Sequence, residues 1–280
     1  MRYTVLFASL ILFALFSCDK VEPPYTTQTQ TPVDTGATKT YVQKVMVEDF
    51  TGHLCGTCPA AHRVLDDLVN VYGDKLVPIA IHAGFFARTT TEYPEEFKTT
   101  EGTTIFDDFQ IQDTPNGMVN RTAYEGNVVV PKDKWGEAIQ HVLDSTELRI
   151  GIDIENAFNT ISNNLDCKVK VTFLKTLPDT LSLAVYFIED SIISKQTDYD
   201  ATPVDIDNYV HKHVLRGSLN GTYGEQIITG TAVQNATVDR QYTFALDTTK
   251  FNVNHCYTIA FVFNTNSKEI FNVEEAKFKE

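Results

Sequence analysis

The stretch YVQKVMVEDFTGHLCGTCPAAHRVLDDLVNVYG, Tyr41–Gly73, decides how this chain is read. Tyr41 to Phe50 is a β-branched and aromatic run suited to a buried strand, and Thr51-Gly52 ends it. Beyond that point Ala61, Leu65, Leu68, Val69 and Tyr72 recur at helical spacing, with Gly73 as a C-terminal stop. Cys55 and Cys58 therefore lie where a strand feeds a helix. The next run, KLVPIAIHA from Lys75 to Ala83, is continuously apolar, as expected of a parallel strand covered on both faces by helices.

A thiol at a helix N-terminus faces unpaired backbone N–H groups and the positive end of the dipole, which favours thiolate over thiol. In Cys-x-x-Cys motifs the ordinary thiol value of about 8.5 falls to about 7 or lower. Cys55 is the candidate nucleophile. Cys58, one turn later, is placed to resolve a mixed disulfide, and Gly56-Thr57 are small enough for the tight loop. Pro59 costs little in a first turn, whose N–H groups lack intrahelical partners. Two other readings of the pair stand beside this one. A static disulfide is tolerated in an exported protein, and a metal bound with His53 or His62 is the other, although no second Cys/His pair follows at the spacing of a four-ligand zinc site. Copper suits Cys and His ligands as well.

The segment VEDFTGHLCGTCP resembles the thioredoxin superfamily. That resemblance makes Asp49, six residues before Cys55, the candidate proton acceptor for Cys58, with Glu48 as its competitor because a one-residue change of register turns the other carboxylate inward. It also implies a cis-proline opposite the cysteines, preceded by a residue whose backbone pairs with substrate. Thr114-Pro115 is the match, followed by a strand through Met118 and Val119. Leu54 stands where the superfamily usually has Trp. Between Gly84 and Asp113 an insertion shows helical patterning around Pro94 to Phe97 and Ile105 to Phe109. Lys132 to Leu143 is a closing amphipathic helix with Trp135, Ile139, Val142 and Leu143 on its apolar side.

After about Leu148 the pattern becomes one of strands: CKVKVTFLK from Cys167, LSLAVYFIE from Leu181, RQYTFALD from Arg240 and CYTIAFVFN from Cys256. Read as alternating, they predict an antiparallel sandwich. Cys167 and Cys256 each begin a strand and are candidates either for a structural bridge or for buried free thiols. His211 and His213 share one face if their segment is extended, and with His255 they form a weak candidate metal set; packing at a domain edge is the plainer reading.

The N-terminus gives the compartment. Met1-Arg2 precedes an apolar run from Val5 to Phe16 that is too short to span a bilayer and reads as an export signal. Ser17-Cys18 resembles the lipobox of bacterial lipoproteins, which implies a lipidated Cys18 after cleavage. Asp19 to Thr40, rich in Thr, Pro and Gln, is a tether. Lipobox, cysteine motif, Thr-Pro, the YVHKHVLRGSLNGTYGE segment at Tyr209–Glu225 and the strand-rich C-terminal half together resemble the 28-kDa outer-membrane-protein (Omp28-related) lipoprotein family.

The expected architecture is an α/β thioredoxin-like domain with a helical insertion, followed by an all-β immunoglobulin-like sandwich. Its divisions are a signal peptide at 1–17, a tether at 18–40, the α/β domain at 41–147 and the sandwich at 148–280. With 280 residues, 42% of them hydrophobic, each unit has enough apolar side chains for a core without oligomerisation, and the oligomeric state is left open. The net charge of -14 disfavours nucleic acid. No cofactor or resident metal is expected. The partners expected are exported protein thiols or disulfides, and a membrane reached through the N-terminal lipid. Two functions follow: a cell-envelope thiol-disulfide oxidoreductase, or a surface or envelope interaction lipoprotein, adhesin-like, in which the thioredoxin-like part is a non-catalytic scaffold.

Overall fold

Val45–Thr51 (β1) is buried along its whole length, and its side chains alternate between two cores in a computed structural model that describes residues 40–278. Val45 and Val47 meet Leu65, Trp135 and Ile139 on one side, while Met46 and Phe50 meet Ile79, Ile105 and Phe261 on the other. The first side is closed by Cys58–Tyr72 (α1) and Trp135–Ser145 (α3), and the second by Thr100–Asp108 (α2). Leu76–His82 (β2) lies parallel to β1, in register from Val45 opposite Leu76 to Thr51 opposite His82. Asn116–Val119 (β3) is antiparallel to β1, and Val129–Val130 (β4) completes that edge. Trp135 is fully buried at the start of α3 and donates its indole N–H to the Val130 carbonyl at 3.1 Å, which satisfies the polar end of a large apolar ring.

The remaining strands are Ile150–Asn159 (β5), Asn164–Phe173 (β6), Leu181–Glu189 (β7), Ile192–Thr197 (β8), Asp205–His211 (β9), Val214–Ser218 (β10), Glu225–Ile228 (β11), Thr237–Ala245 (β12), Cys256–Asn264 (β13) and Ile270–Lys277 (β14). One mixed sheet runs β14-β13-β7-β10-β2-β1-β3-β4, with β11 also paired to β7; β12-β6-β5 forms a second sheet and β8-β9 a hairpin. Val214 of β10 pairs parallel with Ala80, joining the C-terminal strands to the free edge of β2.

This architecture corrects the expectation of an α/β thioredoxin-like domain followed by an immunoglobulin-like sandwich. The fold is mostly β, its main sheet takes strands from both sides of residue 147/148, and residues from Thr40 onward form one compact unit. The physical reason lies in β7 and β13, which are buried on both faces. Leu181, Leu183, Val185 and Phe187 point into a core shared with β5 and β6, whereas Ala184, Tyr186 and Ile188 point into the core beneath α2. A sandwich strand exposes one face to water. These two strands have no such face, so they extend the central sheet and are covered by β12-β6-β5 on one side and helix on the other.

Smaller differences follow the same logic. Ile105 to Phe109 contributes to α2 and the turn after it, but Pro94 to Phe97 is irregular; its Phe97 is buried as an anchor among histidine rings. The helix expected at Lys132 begins as a 3-10 turn, Lys132–Lys134, before α3. The expected signal peptide, Cys18 and the tether up to residue 39 lie outside the described residues. Among the described residues no helix is long and apolar enough to cross a membrane.

Candidate functional site

The turn after β1 is built by Cys55 N–H donating to the Gly52 carbonyl at 3.0 Å and Cys58 N–H donating to the Cys55 carbonyl at 3.3 Å, which starts α1 at Cys58. Cys55 and Cys58 are joined by a disulfide. Cys55 keeps 3% of its surface exposed and Cys58 none. The Thr114–Pro115 peptide is cis, and the Thr114 carbonyl oxygen lies 3.7 Å from Cys55 Sγ, so the two segments meet at this sulfur.

Alternation along β1 separates its two acids. Glu48 turns toward the α2 side, where Arg121 grips both carboxylate oxygens at 2.8 and 2.6 Å within the core. Asp49 turns toward α1. It is fully buried, neither carboxylate oxygen has a hydrogen-bond partner among the described residues, and burial pushes its carboxyl up to about 8. His62 Nε2 sits 3.5 Å from Asp49 Oδ2 and 2.9 Å from Thr51 Oγ1, while its Nδ1 is 2.7 Å from the Tyr209 hydroxyl. Burial lowers His62 to about 4, so its ring is neutral at pH 7. Cys58 and His62 are four residues apart on α1 and share a face. A cavity of about 40 Å³ adjoins this group, with Asp49, His62, His82, Tyr209 and His211 in its wall.

A layer from the C-terminal half closes over the cysteine loop. Thr197 N–H donates to the His53 carbonyl at 2.9 Å, Tyr199 N–H to the Gly56 carbonyl at 2.8 Å, and Gln196 Nε2 to the Cys55 carbonyl at 3.1 Å. The Tyr199 ring lies so close to Gly56 that a Cβ there would overlap it, which gives that glycine a steric reason. Arg63 on α1 pairs with Asp198 at 2.8 Å and with Asp200, fixing the turn of the β8-β9 hairpin.

Other expected residues fall elsewhere. Cys167 and Cys256 are not bonded to each other. Both are buried free thiols in the core shared by the two sheets, and Cys256 donates its S–H to the Asn252 carbonyl at 3.3 Å. Burial pushes their thiols up to about 11 and about 12, which makes both poor nucleophiles at neutral pH. His211 packs against Phe97 and His82, with ring centroids 4.7 and 5.6 Å away, whereas His213 lies beyond the end of β9 at a positive φ of 54° and gives its carbonyl to Ala80 N–H. His255 lies in a separate surface groove with Ser191 and Phe251. Among the described residues no group of three His, Cys, Asp or Glu is arranged to hold a metal. The sequence reading did not reach Tyr199, Gln196 or Tyr209. His62 alone had a local signal, being one turn beyond Cys58.

Comparison with known proteins places these observations. The family model described as Outer membrane protein Omp28 matches residues 103–280. No curated protein matches the chain. Among solved structures, HBP35 of Porphyromonas gingivalis is similar with a TM-score of 0.64 and 17% identity, over 85% of this chain and 76% of that one. Protein AGR_C_4864 of Agrobacterium tumefaciens is similar with a TM-score of 0.51 and 13% identity, over 86% of this chain and 97% of that one. A domain of the outer membrane lipoprotein Omp28 of Porphyromonas gingivalis is 24% identical over 47% of this chain and 96% of that one, with a TM-score of 0.33. The two higher scores show a shared fold and nothing about activity.

Proposed function

This chain belongs to the outer membrane protein Omp28 family, and we propose that within the cell envelope it acts as an interaction lipoprotein that presents the β8-β9 hairpin to a protein partner. One observation carries this reading. Large apolar side chains exposed in the described residues are Val42, Val71, Phe85, Phe86, Ile161, Ile193, Tyr199, Val204, Val210 and Val233, and four of them, Ile193, Tyr199, Val204 and Val210, belong to that hairpin. Ile193 and Val210 are cross-strand partners and so share a face. Exposed apolar groups concentrated on one short element mark a contact surface more often than a solvated one.

A photo-crosslinking residue at Ile193 in intact cells is expected to give a discrete adduct, and one at Ile161, which is 95% exposed in the β5-β6 turn, is expected to give none. The adduct should persist in a Cys55→Ser, Cys58→Ser double variant. Equal labelling at both positions, or loss of the adduct with the cysteines, would overturn this function.

Thiol-disulfide exchange at Cys55–Cys58 is the second reading, and it is favoured by the buried, unpartnered Asp49 behind a cysteine pair at the start of α1. In it Cys55 attacks, Cys58 resolves, and Thr114-Pro115 lies beside the attacking sulfur. A Cys58→Ala variant is then expected to trap envelope proteins as mixed disulfides on Cys55. A trap no richer than that of the double serine variant would exclude it.

A further inference from the structure

The buried acid behind the cysteines is reached from outside by two side chains that the exchange chemistry has not yet used. The Tyr209 hydroxyl stands 2.7 Å from His62 Nδ1, and with this hydroxyl as donor the single ring proton of neutral His62 sits on Nε2. That N–H is then given to Thr51 Oγ1, 2.9 Å away, and Asp49 Oδ2 lies 3.5 Å from the same nitrogen without a hydrogen bond to it. Tyr209 belongs to β9, so an element from the far half of the chain governs the tautomer of a histidine on α1. We propose that Tyr209 and His62 are positioning residues for a thiol-disulfide step at Cys55–Cys58, fixing the His62 ring so that its Nε2–H dipole stands beside Asp49 and tunes how readily that carboxyl gives its proton to the departing Cys58 sulfur. The proposal rests on the exchange reading above.

With a dithiol as reductant the step balances. A reductant thiolate attacks Cys55 Sγ, the S–S bond breaks, and its electron pair leaves on Cys58 Sγ. Cys58 takes the proton of Asp49. The carboxylate then regains a proton from solvent, and His62 keeps its proton on Nε2 throughout. The second reductant thiolate attacks its own linked sulfur, and Cys55 leaves as a thiolate that water protonates. The protein has gained two electrons and two protons, and the reductant ends as a cyclic disulfide.

The surroundings of Asp49 leave His62 as the group that can tune it. From β2 it is faced by His82, and from the segment around β9 and β10 by His211, Lys212 and His213. Burial lowers the three histidines below their ordinary range, so they are neutral at pH 7. Lys212 is engaged by Asp66 of α1 at 2.8 Å. A donor dipole beside a carboxylate favours the charged form, so losing it raises the pH at which the acid ionises.

The test is the rate of reduction of the full chain by dithiothreitol, expressed per reductant thiolate, between pH 5 and 10. Wild type is expected to hold a plateau that falls with a midpoint near pH 8, the value to which burial pushes Asp49. Asp49→Asn should lower the plateau by about tenfold or more and remove the midpoint. His62→Leu should move the midpoint up by about one pH unit, and Tyr209→Phe should move it the same way by less. His62→Gln, which restores an N–H donor, should return it toward the wild-type position. A structural role alone lowers stability and leaves the midpoint in place. Coincident profiles for wild type, His62→Leu and Tyr209→Phe, with Asp49→Asn still flat, would overturn the positioning roles and leave the exchange reading standing. A wild-type disulfide that dithiothreitol does not reduce at any pH would remove both.

Discussion

Arg121→Ala lowers the unfolding free energy by about 3 to 5 kcal/mol, measured by urea denaturation at pH 7. Arg121 is 3% exposed and donates Nε and Nη2 to the two oxygens of Glu48, itself 1% exposed. Its guanidinium also lies 5.4 Å from the ring centroids of both Phe109 and Phe261. Removing the cation leaves a carboxylate in the core with nothing to offset its lost hydration, and that desolvation is what makes the loss large. The double variant Glu48→Gln, Arg121→Met removes both charges and is expected to recover more than half of the loss. A single-variant loss below about 1 kcal/mol would show that water reaches Glu48 and that the pair is not a core element.

Asp49→Asn has the opposite sign. The variant is expected to be more stable than wild type by about 5 kcal/mol at pH 8, and by much less at pH 4. The folded carboxyl titrates near 8 and the unfolded one near its ordinary 3.8. Between those values the folded state binds more proton than the unfolded one, so wild-type stability is fully present below about pH 4 and declines as pH rises to 8. Asn carries no such proton. His62, His82, His211 and His213 work the other way: burial holds each below its ordinary 6.5 when folded, so they make stability rise as pH climbs toward 6.5, and the decline owed to Asp49 shows above that value. Thermal or urea midpoints of both proteins at pH 4, 6 and 8 check this. Parallel curves would place the proton elsewhere.

Much of the site can be read in the sequence because its parts are close along the chain. Strand, turn and helix follow one another in this stretch as composition and periodicity predict, although β1 begins at Val45 and Tyr41 to Lys44 are irregular, and Gly73 ends α1 with a φ of 53°. Alternation on β1 chose between Glu48 and Asp49 only once register with β2 and β3 was known, since either acid fits the local pattern. The C-terminal half went wrong at two strands. Cys167 to Lys175 and Arg240 to Asp247 alternate as half-exposed strands do, and β6 and β12 are such strands. Leu181 to Glu189 and Cys256 to Asn264 do not alternate; each holds a run of five or six consecutive apolar residues, Leu183 to Ile188 and Ile259 to Phe263, the mark of a strand covered on both faces.

The sequence by itself determined the elements around the cysteines, the cysteines' position at a helix start, and the strand content of the second half, because each depends on contacts within a few residues. Tertiary structure alone decided that β10 docks on β2 to make one sheet, that Cys167 and Cys256 remain thiols, and that Tyr199 and Tyr209 reach the cysteine loop and His62. These outcomes depend on which apolar faces are left open once local structure has formed. The free edge of β2 is met by β10, more than a hundred residues later in the chain, a separation over which local pattern carries no information.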